Sequence, residues 1–332
     1  MIVYGFLCIN WSYLCLGVFR LDFDAAYSIV NGIFDNVRGV VVGKESELRL
    51  LLATLFSGGH VLVEGPPGIA KTLMAKSIAR SIRGVFRRIQ GNPDILPSDI
   101  TGFHIYSLDG SSRFIRGPIF ANIVFFDELN RAPTRSQAAL LEAMQEGQVT
   151  VDGVTYPLMR PFMVIATQIP TVMGPGTFPI TPTLIDRFSV RIRTGYSSPE
   201  EEFEIVSRSD LLDVAFVEPV TDIDSVSNVI LFIKENVYVD SRISKYIVDL
   251  LGYVRGREDI VLGIGHRASI SLYRISRAIA LINKRDYVIP DDIKEIFEPV
   301  VAHRIILRPE ASEDDALEVV REALENVRVP KE

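Results

Sequence analysis

The run His60-Val61-Leu62-Val63-Glu64 is apolar but for its ends. It opens directly into Gly65-Pro66-Pro67-Gly68-Ile69-Ala70-Lys71-Thr72, and helical spacing resumes from Lys71 to Ile82. No other stretch restricts the fold as tightly. A turn of small residues lets backbone N–H groups crowd around an anion, and the following helix points its positive end at the same spot. Lys71 supplies a charge that reaches outer phosphates, and the Thr72 hydroxyl is a ligand for Mg²⁺. The pattern is G-x-x-x-x-G-K-[ST] with Ala70 in place of the second glycine. Alanine is expected to take ordinary helical dihedrals there, which a Cβ tolerates.

The same alternation of strands and helices continues along the chain. Phe23 to Val37 and Glu45 to Phe56 have helical spacing, with Val40-Val41-Val42-Gly43 between them. Phe86 to Ile89, Ile123 to Phe126 and Phe162 to Thr167 read as strands. The unbroken apolar Ile123-Val124-Phe125-Phe126 fits a parallel strand covered on both faces. Ser136 to Glu146 reads as one helix stopped by Gly147. Two hairpins are expected, Phe103 to Arg116 around Asp109-Gly110-Ser111 and Gln148 to Leu158 around Asp152-Gly153.

From Ser198 the character changes. Ser198 caps a helix that Pro199 opens, with Glu200, Glu201 and Glu202 in its first turn, where the helix dipole favours acids. Arg242 to Tyr253, Ala268 to Ile282, Asp291 to Val301 and Ser312 to Asn326 then all show helical spacing. The fold class is α/β, a parallel sheet between helices, followed by a helical part. The expected divisions are an apolar extension over 1–20, an α/β domain over 21–195 and an α-helical domain over 196–330.

Asp127 and Glu128 directly follow the strand Ile123 to Phe126. An apolar strand that delivers an acid beside the phosphate-binding turn is the Walker B arrangement, as Gly65 to Thr72 is the Walker A. Asp127 is the candidate to hold Mg²⁺ through water, and Glu128 to act as general base. Around this pair stand Gly117-Pro118-Ile119-Phe120-Ala121-Asn122, Leu129-Asn130-Arg131-Ala132, Gln137 to Met144, Ala166-Thr167-Gln168 and Leu184-Ile185-Asp186-Arg187-Phe188. Further on come Gly265-His266-Arg267-Ala268-Ser269 and Arg285 to Asp292. In this combination and order the chain resembles the MoxR group of AAA+ ATPases from about Phe23 to about Leu307.

The resemblance implies an AAA+ P-loop NTPase with a five-stranded parallel sheet and a helical lid, binding ATP and Mg²⁺ in a homo-oligomeric ring, typically a hexamer. Gly43, Gly65, Pro66, Pro67, Gly68, Ile69, Ala70, Lys71, Thr72 and Asp127 are the implied nucleotide contacts, with Thr72 and Asp127 serving the metal. Arg187 is the implied arginine finger, reaching the nucleotide of the adjacent subunit. Arg267 is the implied lid arginine, sensing phosphate in its own subunit. The two hairpins are implied to lie near the ring's pore and touch a protein client. Family members often act with a partner that bears a von Willebrand A domain, maturing client complexes or inserting metals into them.

The chain also departs from the family. Ile169 stands where an asparagine usually orients the attacking water, and it has no side-chain hydrogen bond to offer. Gln168 or Thr167 is the substitute at hand. His266 replaces a usual proline, and Pro182 an acid often found before the finger. Three other readings therefore stay open: a magnesium-chelatase-like motor subunit, a nucleotide-binding scaffold with weak or lost hydrolysis, and a DNA-translocating motor. The last is disfavoured by 42 acidic against 35 basic residues, a net charge of −7, the reverse of the basic balance usual in a nucleic-acid binder, although a local basic patch is compatible with that total.

The only cysteines are Cys8 and Cys15, so the body has neither a disulfide framework nor a thiolate zinc site. The histidines at 60, 104, 266 and 303 are scattered singly and read as ordinary core or surface residues. Residues 1–19 are uncharged and the first basic residue is Arg20. A spanning helix needs about 20 apolar residues; this stretch reads first as a mis-assigned start, next as an apolar packing arm and last as a membrane anchor. The expected compartment is the cytoplasm.

Overall fold

A computed structural model describes residues 21–169, 176–208, 217–262, 264–308 and 313–330. The readings of 1–20 therefore lie outside the described residues. Among the described residues no helix is long and apolar enough to cross a membrane.

Two helices lead, α1 (Phe23–Arg38) and α2 (Glu45–Phe56). Asp22 caps α1 by accepting the Ala25 N–H at 2.7 Å. Then come β1 (Val61–Glu64), α3 (Lys71–Ser81), β2 (Phe86–Gln90) and the short α4 (Pro97–Thr101). The first expected hairpin is β3 (Gly102–Tyr106) and β4 (Ser112–Arg116), paired antiparallel. β5 (Ile123–Asp127) follows, and later the second hairpin, β6 (Gln148–Val151) and β7 (Val154–Pro157). Asp152 and Gly153 both have positive φ, the geometry a two-residue hairpin turn requires. β8 (Met163–Gln168), α7 (Pro182–Ile185) and β9 (Val190–Arg193) complete the sheet region.

All five main strands are parallel, in the order β2-β5-β8-β1-β9. Alternation along each strand divides the side chains between two apolar clusters. Val61, Val63, Ile123, Phe125, Met163 and Ile165 face α1, α2 and α3. Leu62, Val124, Phe126, Val164 and Ala166 face the opposite layer, with Leu140, Ala143 and Phe188. Residues buried on both faces are what the apolar runs anticipated. β9 was not anticipated: it is an edge strand reading Val-Arg-Ile-Arg, with Val190 and Ile192 in the core and Arg191 and Arg193 flanking Glu64 at 3.7 and 3.9 Å.

The single helix expected over 136–146 is instead α5 (Thr134–Gln137) and α6 (Leu140–Glu146). The buried Ser136 hydroxyl donates to the Ile95 carbonyl at 2.6 Å, and the Gln137 amide to the Ala132 carbonyl at 3.0 Å. With those side chains pinned, Ala139 and Leu141 donate three residues back instead of four.

α8 (Pro199–Ser207) has the expected capping box: Ser198 accepts the Glu201 N–H, and Glu201 accepts the Ser198 N–H. The helices after it are α9 (Ile223–Asn236), α10 (Ser241–Arg255), α11 (His266–Ile282), α12 (Pro290–Val301) and α13 (Glu313–Asn326). α9 was not read from the sequence. This part is also not purely helical, since β10 (Ile260–Leu262) and β11 (Ile306–Leu307) pair antiparallel. Helix α11 packs along α2, and α12 against β9, so the core around α1 and α2 runs on unbroken into the C-terminal helices.

Candidate nucleotide site

Parallel strands end on one edge of a sheet, and ligands gather there. β8 lies between β1 and β5, so its end sits between the phosphate-binding turn and the acidic pair. Thr167 uses that place. Its hydroxyl accepts the Glu128 N–H at 2.7 Å and donates to Asp127 Oδ1 at 2.9 Å. The other Asp127 oxygen accepts from Arg88 at 2.6 Å. Glu128 is held in the left-handed region, φ 56 and ψ 54, and its Oε2 accepts from Gln90 at 3.1 Å and Arg131 at 3.0 Å. Gly91 closes the sheet against this bend: its N–H donates to the Asp127 carbonyl at 2.7 Å, and a Cβ there would lie 2.0 Å from the Glu128 carbonyl oxygen.

On the other side of Thr167, the Lys71 ammonium donates to the Gly65 and Pro66 carbonyls at 2.7 and 3.0 Å. Burial depresses its pKa below the usual lysine range, while the Asp127 and Glu128 carboxylates pull it back up. The lysine therefore feels both acids, as an ammonium spanning the gap between them and a phosphate would. Gly65 must be small, because a Cβ would meet the Thr194 carbonyl oxygen at 2.3 Å. Ala70 overturns one expectation: it is left-handed, φ 62 and ψ 15, not helical. The turn keeps the conformation a glycine would supply, at a cost of about 1–2 kcal/mol for the Cβ.

These groups fit a magnesium nucleotide. The turn offers backbone donors at the N-terminus of α3, Lys71 offers a charge, and Thr72 with Asp127 offers two oxygens to a metal. Mg²⁺ keeps several waters and takes one or two protein oxygens, so it needs no cage of acids. Among the described residues no cluster of three His, Cys, Asp or Glu exists that could form one. Gly43, with φ +69, abuts the Glu201 carboxylate of α8.

The remaining candidates lie elsewhere. Gln168 is on the opposite face of β8 from Thr167, lining a cavity of 440 Å³ with Leu62, Asn130, Ile185 and His303. It makes no side-chain hydrogen bond to Asp127 or Glu128, whose described partners are Thr167, Arg88, Gln90 and Arg131. Ile169 is clasped through its backbone: its N–H donates to Asn130 Oδ1 at 3.1 Å and its carbonyl accepts from Asn130 Nδ2 at 2.8 Å.

Arg187 and Arg267 meet at one atom. Gln145 Oε1 accepts from Arg187 at 2.6 Å and from Arg267 at 3.3 Å. Burial and the nearby Arg267 cation lower the Arg187 pKa, and its Nε is buried without a partner. Asp186 holds Arg267 at 2.9 Å and the buried Arg304 at 3.2 Å. Burial brings Arg304 down to about 10, which still leaves it charged at neutral pH.

Sequence reasoning missed Arg88, Gln90, Gln145 and Arg304. The signal for the first two was polar residues on the strand that pairs with the acidic one; Gln145 and Arg304 gave none. The hairpins do meet. His104 bridges Asp152 and the Tyr156 hydroxyl, each at 3.0 Å, and Phe114 stacks on Tyr156 at 4.1 Å between ring centres. Tyr106 and Leu108 at the first hairpin's tip are exposed. Of the other histidines, His60 and His303 are buried core residues bonded to backbone.

Residues 60–190 match the profile of the ATPase family associated with various cellular activities (AAA), and 254–325 that of the AAA lid domain. The chain is 42% identical over 303 residues to protein YeaC of Bacillus subtilis, covering 89% of this chain and 93% of that one. It is 36% identical over 318 residues to chaperone MoxR1 of Mycobacterium tuberculosis, covering 92% and 83% respectively. The crystal structure of a candidate ATPase from Cytophaga hutchinsonii superposes with a TM-score of 0.85 at 36% identity, covering 93% of this chain and 97% of that one. The sheet order, the lid and these relatives agree: the chain belongs to the MoxR family of AAA+ ATPases.

Proposed function

We propose that the chain hydrolyses ATP with Mg²⁺ as one subunit of a homo-oligomeric ring and uses the cycle to remodel protein clients. The observation that carries this is the Thr167 hydroxyl, which locks Asp127 and the Glu128 backbone together beside Lys71. Bound Mg²⁺ would supply charge neutralisation on the β- and γ-phosphates. Lys71 binds the outer phosphates, and Thr72 with Asp127 holds the metal. Glu128, steadied by Gln90 and Arg131, takes the proton from the water that attacks the γ-phosphorus as the β–γ bridging bond breaks. Thr167 orients the two acids and not the water, because its one hydroxyl proton goes to Asp127 and its oxygen accepts the Glu128 N–H.

Arg187 and Arg267 share Gln145, so whatever phosphate one reaches lies within side-chain reach of the other. We assign both to the neighbouring subunit's nucleotide, in place of the same-subunit role that family resemblance gives Arg267. The exposed Tyr106 and Leu108 are the client contacts, and the name of the relative MoxR1 supports a chaperone role. A von Willebrand A-domain partner and metal insertion remain options within this reading, which places the protein in the cytoplasm, where ATP and Mg²⁺ are supplied.

Phosphate release by the purified chain tests it. Release should require Mg²⁺, stop on chelation and stop in Glu128→Gln, which keeps nucleotide bound. The scaffold reading, prompted by Ile169, takes over if the wild type binds Mg·ATP but releases no phosphate at any protein concentration.

A further inference from the structure

α8 has an unusual surface for a helix in a folded chain. Of its nine residues, none is buried. Glu201 and Ile205 turn toward the body, which leaves the opposite side to Phe203 and Val206, 74% and 66% exposed. On a helical projection Glu200 and Glu202 flank that pair. The result is an apolar ridge with acidic shoulders, and single exposed apolar residues are ordinary where such a ridge is not.

A cleft of 770 Å³ elsewhere on the molecule has the reciprocal character. Its floor is Phe56, Ile233 and Ile247, and its walls carry the exposed Val248, Ile270 and Tyr273. Arg160, Lys234, Arg274 and Arg277 line it, and among the described residues no acidic one does. Arg277 is committed to the Val237 and Lys234 carbonyls. The other three cations are exposed, and among the described residues none has an acidic neighbour within the cleft.

We propose that α8 of one copy of this chain seats in this cleft on the next copy, Phe203 and Val206 entering the apolar groove while Glu200 and Glu202 meet Lys234 and Arg274. A chain cannot satisfy the contact by itself. Its own α8 is fixed at the N-terminal end of α2, where Glu201 abuts Gly43 and Arg208 donates to the Gly39 carbonyl at 3.0 Å. The cleft begins at Phe56, Ser57 and Gly58, at the other end of that 12-residue helix, about 18 Å away at 1.5 Å per residue. Two different surfaces on opposite ends of one element make a head-to-tail contact, which closes into a ring when the rotation per subunit fits. The proposal deepens the ring reading and rests on it: it says which surfaces meet. It also ties assembly to the nucleotide if Gly43, on which α8 leans, makes the nucleotide contact that family resemblance gives it.

The test is charge exchange in the full chain, with assembly followed by light scattering and sedimentation in Mg·ATP. Glu200→Lys with Glu202→Lys, or Lys234→Glu with Arg274→Glu, should each raise the concentration for half-assembly about tenfold or more, since like charges then face each other. All four changes in one chain restore opposite signs at every contact and should return assembly to within about threefold of wild type. All these positions are exposed, and circular dichroism checks that each variant is folded. In a Cys8→Ser, Cys15→Ser background, Val206→Cys with Ile270→Cys should give a ladder of covalent oligomers under mild oxidation, and neither single cysteine should. Rings of wild-type size and stability from every reversal, or no rescue by the fourfold exchange, overturn this contact and leave the ring reading standing. A wild type that stays monomeric at all concentrations with Mg·ATP overturns both.

Discussion

Lys71 follows the turn at the end of β1, and Asp127 and Glu128 stand at the end of β5 with only β8 between them, whereas Arg187 and Arg267 come from the turn after α7 and the first turn of α11 and meet at a single glutamine oxygen. Backbone register fixes the first group: β1, β8 and β5 are hydrogen-bonded in sequence, and Thr167 ties the last two residues together. Side chains fix the second, through Gln145, Asp186 and the buried Arg304. The same substitution should therefore do different things on the two sides. On the strand side it removes chemistry and keeps shape. On the arginine side it disturbs the support as well.

The largest effect is expected from Arg187→Ala, about 10³- to 10⁵-fold in turnover for a finger acting between subunits. Mixing it with Lys71→Ala should recover part of the activity, because some contacts then pair an intact turn with an intact finger. No recovery in verified mixed rings would place Arg187 outside the chemistry.

Next is a matched pair of neutralisations, read by denaturant unfolding. Asp186→Asn removes the counter-charge of Arg304, whose side chain is 3% exposed. That should cost about 3 kcal/mol, the lower end for stranding a buried ion. Asp127→Asn removes the partner of Arg88, which is half exposed, and should cost about 1 kcal/mol or less. Equal costs would erase the distinction between the halves.

pH acts on both. His60 donates to the Met144 carbonyl and accepts the Val164 N–H, and burial lowers its pKa from 6.5 to about 4. A lowered folded-state value means the unfolded chain binds the proton first. Stability should hold above pH 6.5 and fall as the pH drops toward 4, by about 3 kcal/mol from this group. His303, also buried and lowered, acts in the same direction. His60→Gln should flatten the profile, and an unchanged profile would mean His60 is not its source. The smallest effect belongs to Ala70→Gly. Relief of the left-handed strain, set against the greater freedom of glycine in the unfolded chain, leaves a gain of about 1 kcal/mol or less, with nucleotide affinity unchanged in calorimetry.

The strand side was legible in the sequence and the arginine side was not, for a physical reason. Strands covered on both faces must be apolar throughout, so Ile123 to Phe126 and the residues just past them announce themselves. β9 escaped because an edge strand alternates, and its arginines read as surface. The dihedrals of Ala70 were misjudged because alanine is permitted in a helix, and nothing local says that the turn demands a left-handed residue. Arg187 was visible only through family resemblance. Gln145 and Arg304 were not visible at all, since their roles depend on α6, α7 and the lid converging from distant parts of the chain.

The unbroken core around α1 and α2 bears on how the molecule can be taken apart. The segments that family profiles match, 60–190 and 254–325, leave out both helices. Yet Val30, Ile33, Leu51, Leu52 and Phe56 lie in one cluster with sheet residues such as Val63 and lid residues such as Ile275 and Ile279. Neither matched segment thus contains the whole of that core. Heating the protein should produce one calorimetric transition, because melting the lid strips the outer side of α2 while the sheet still holds its inner side. A fragment cut to 60–190 would keep only α3 over that sheet face and should be recovered as aggregate, not as a working half.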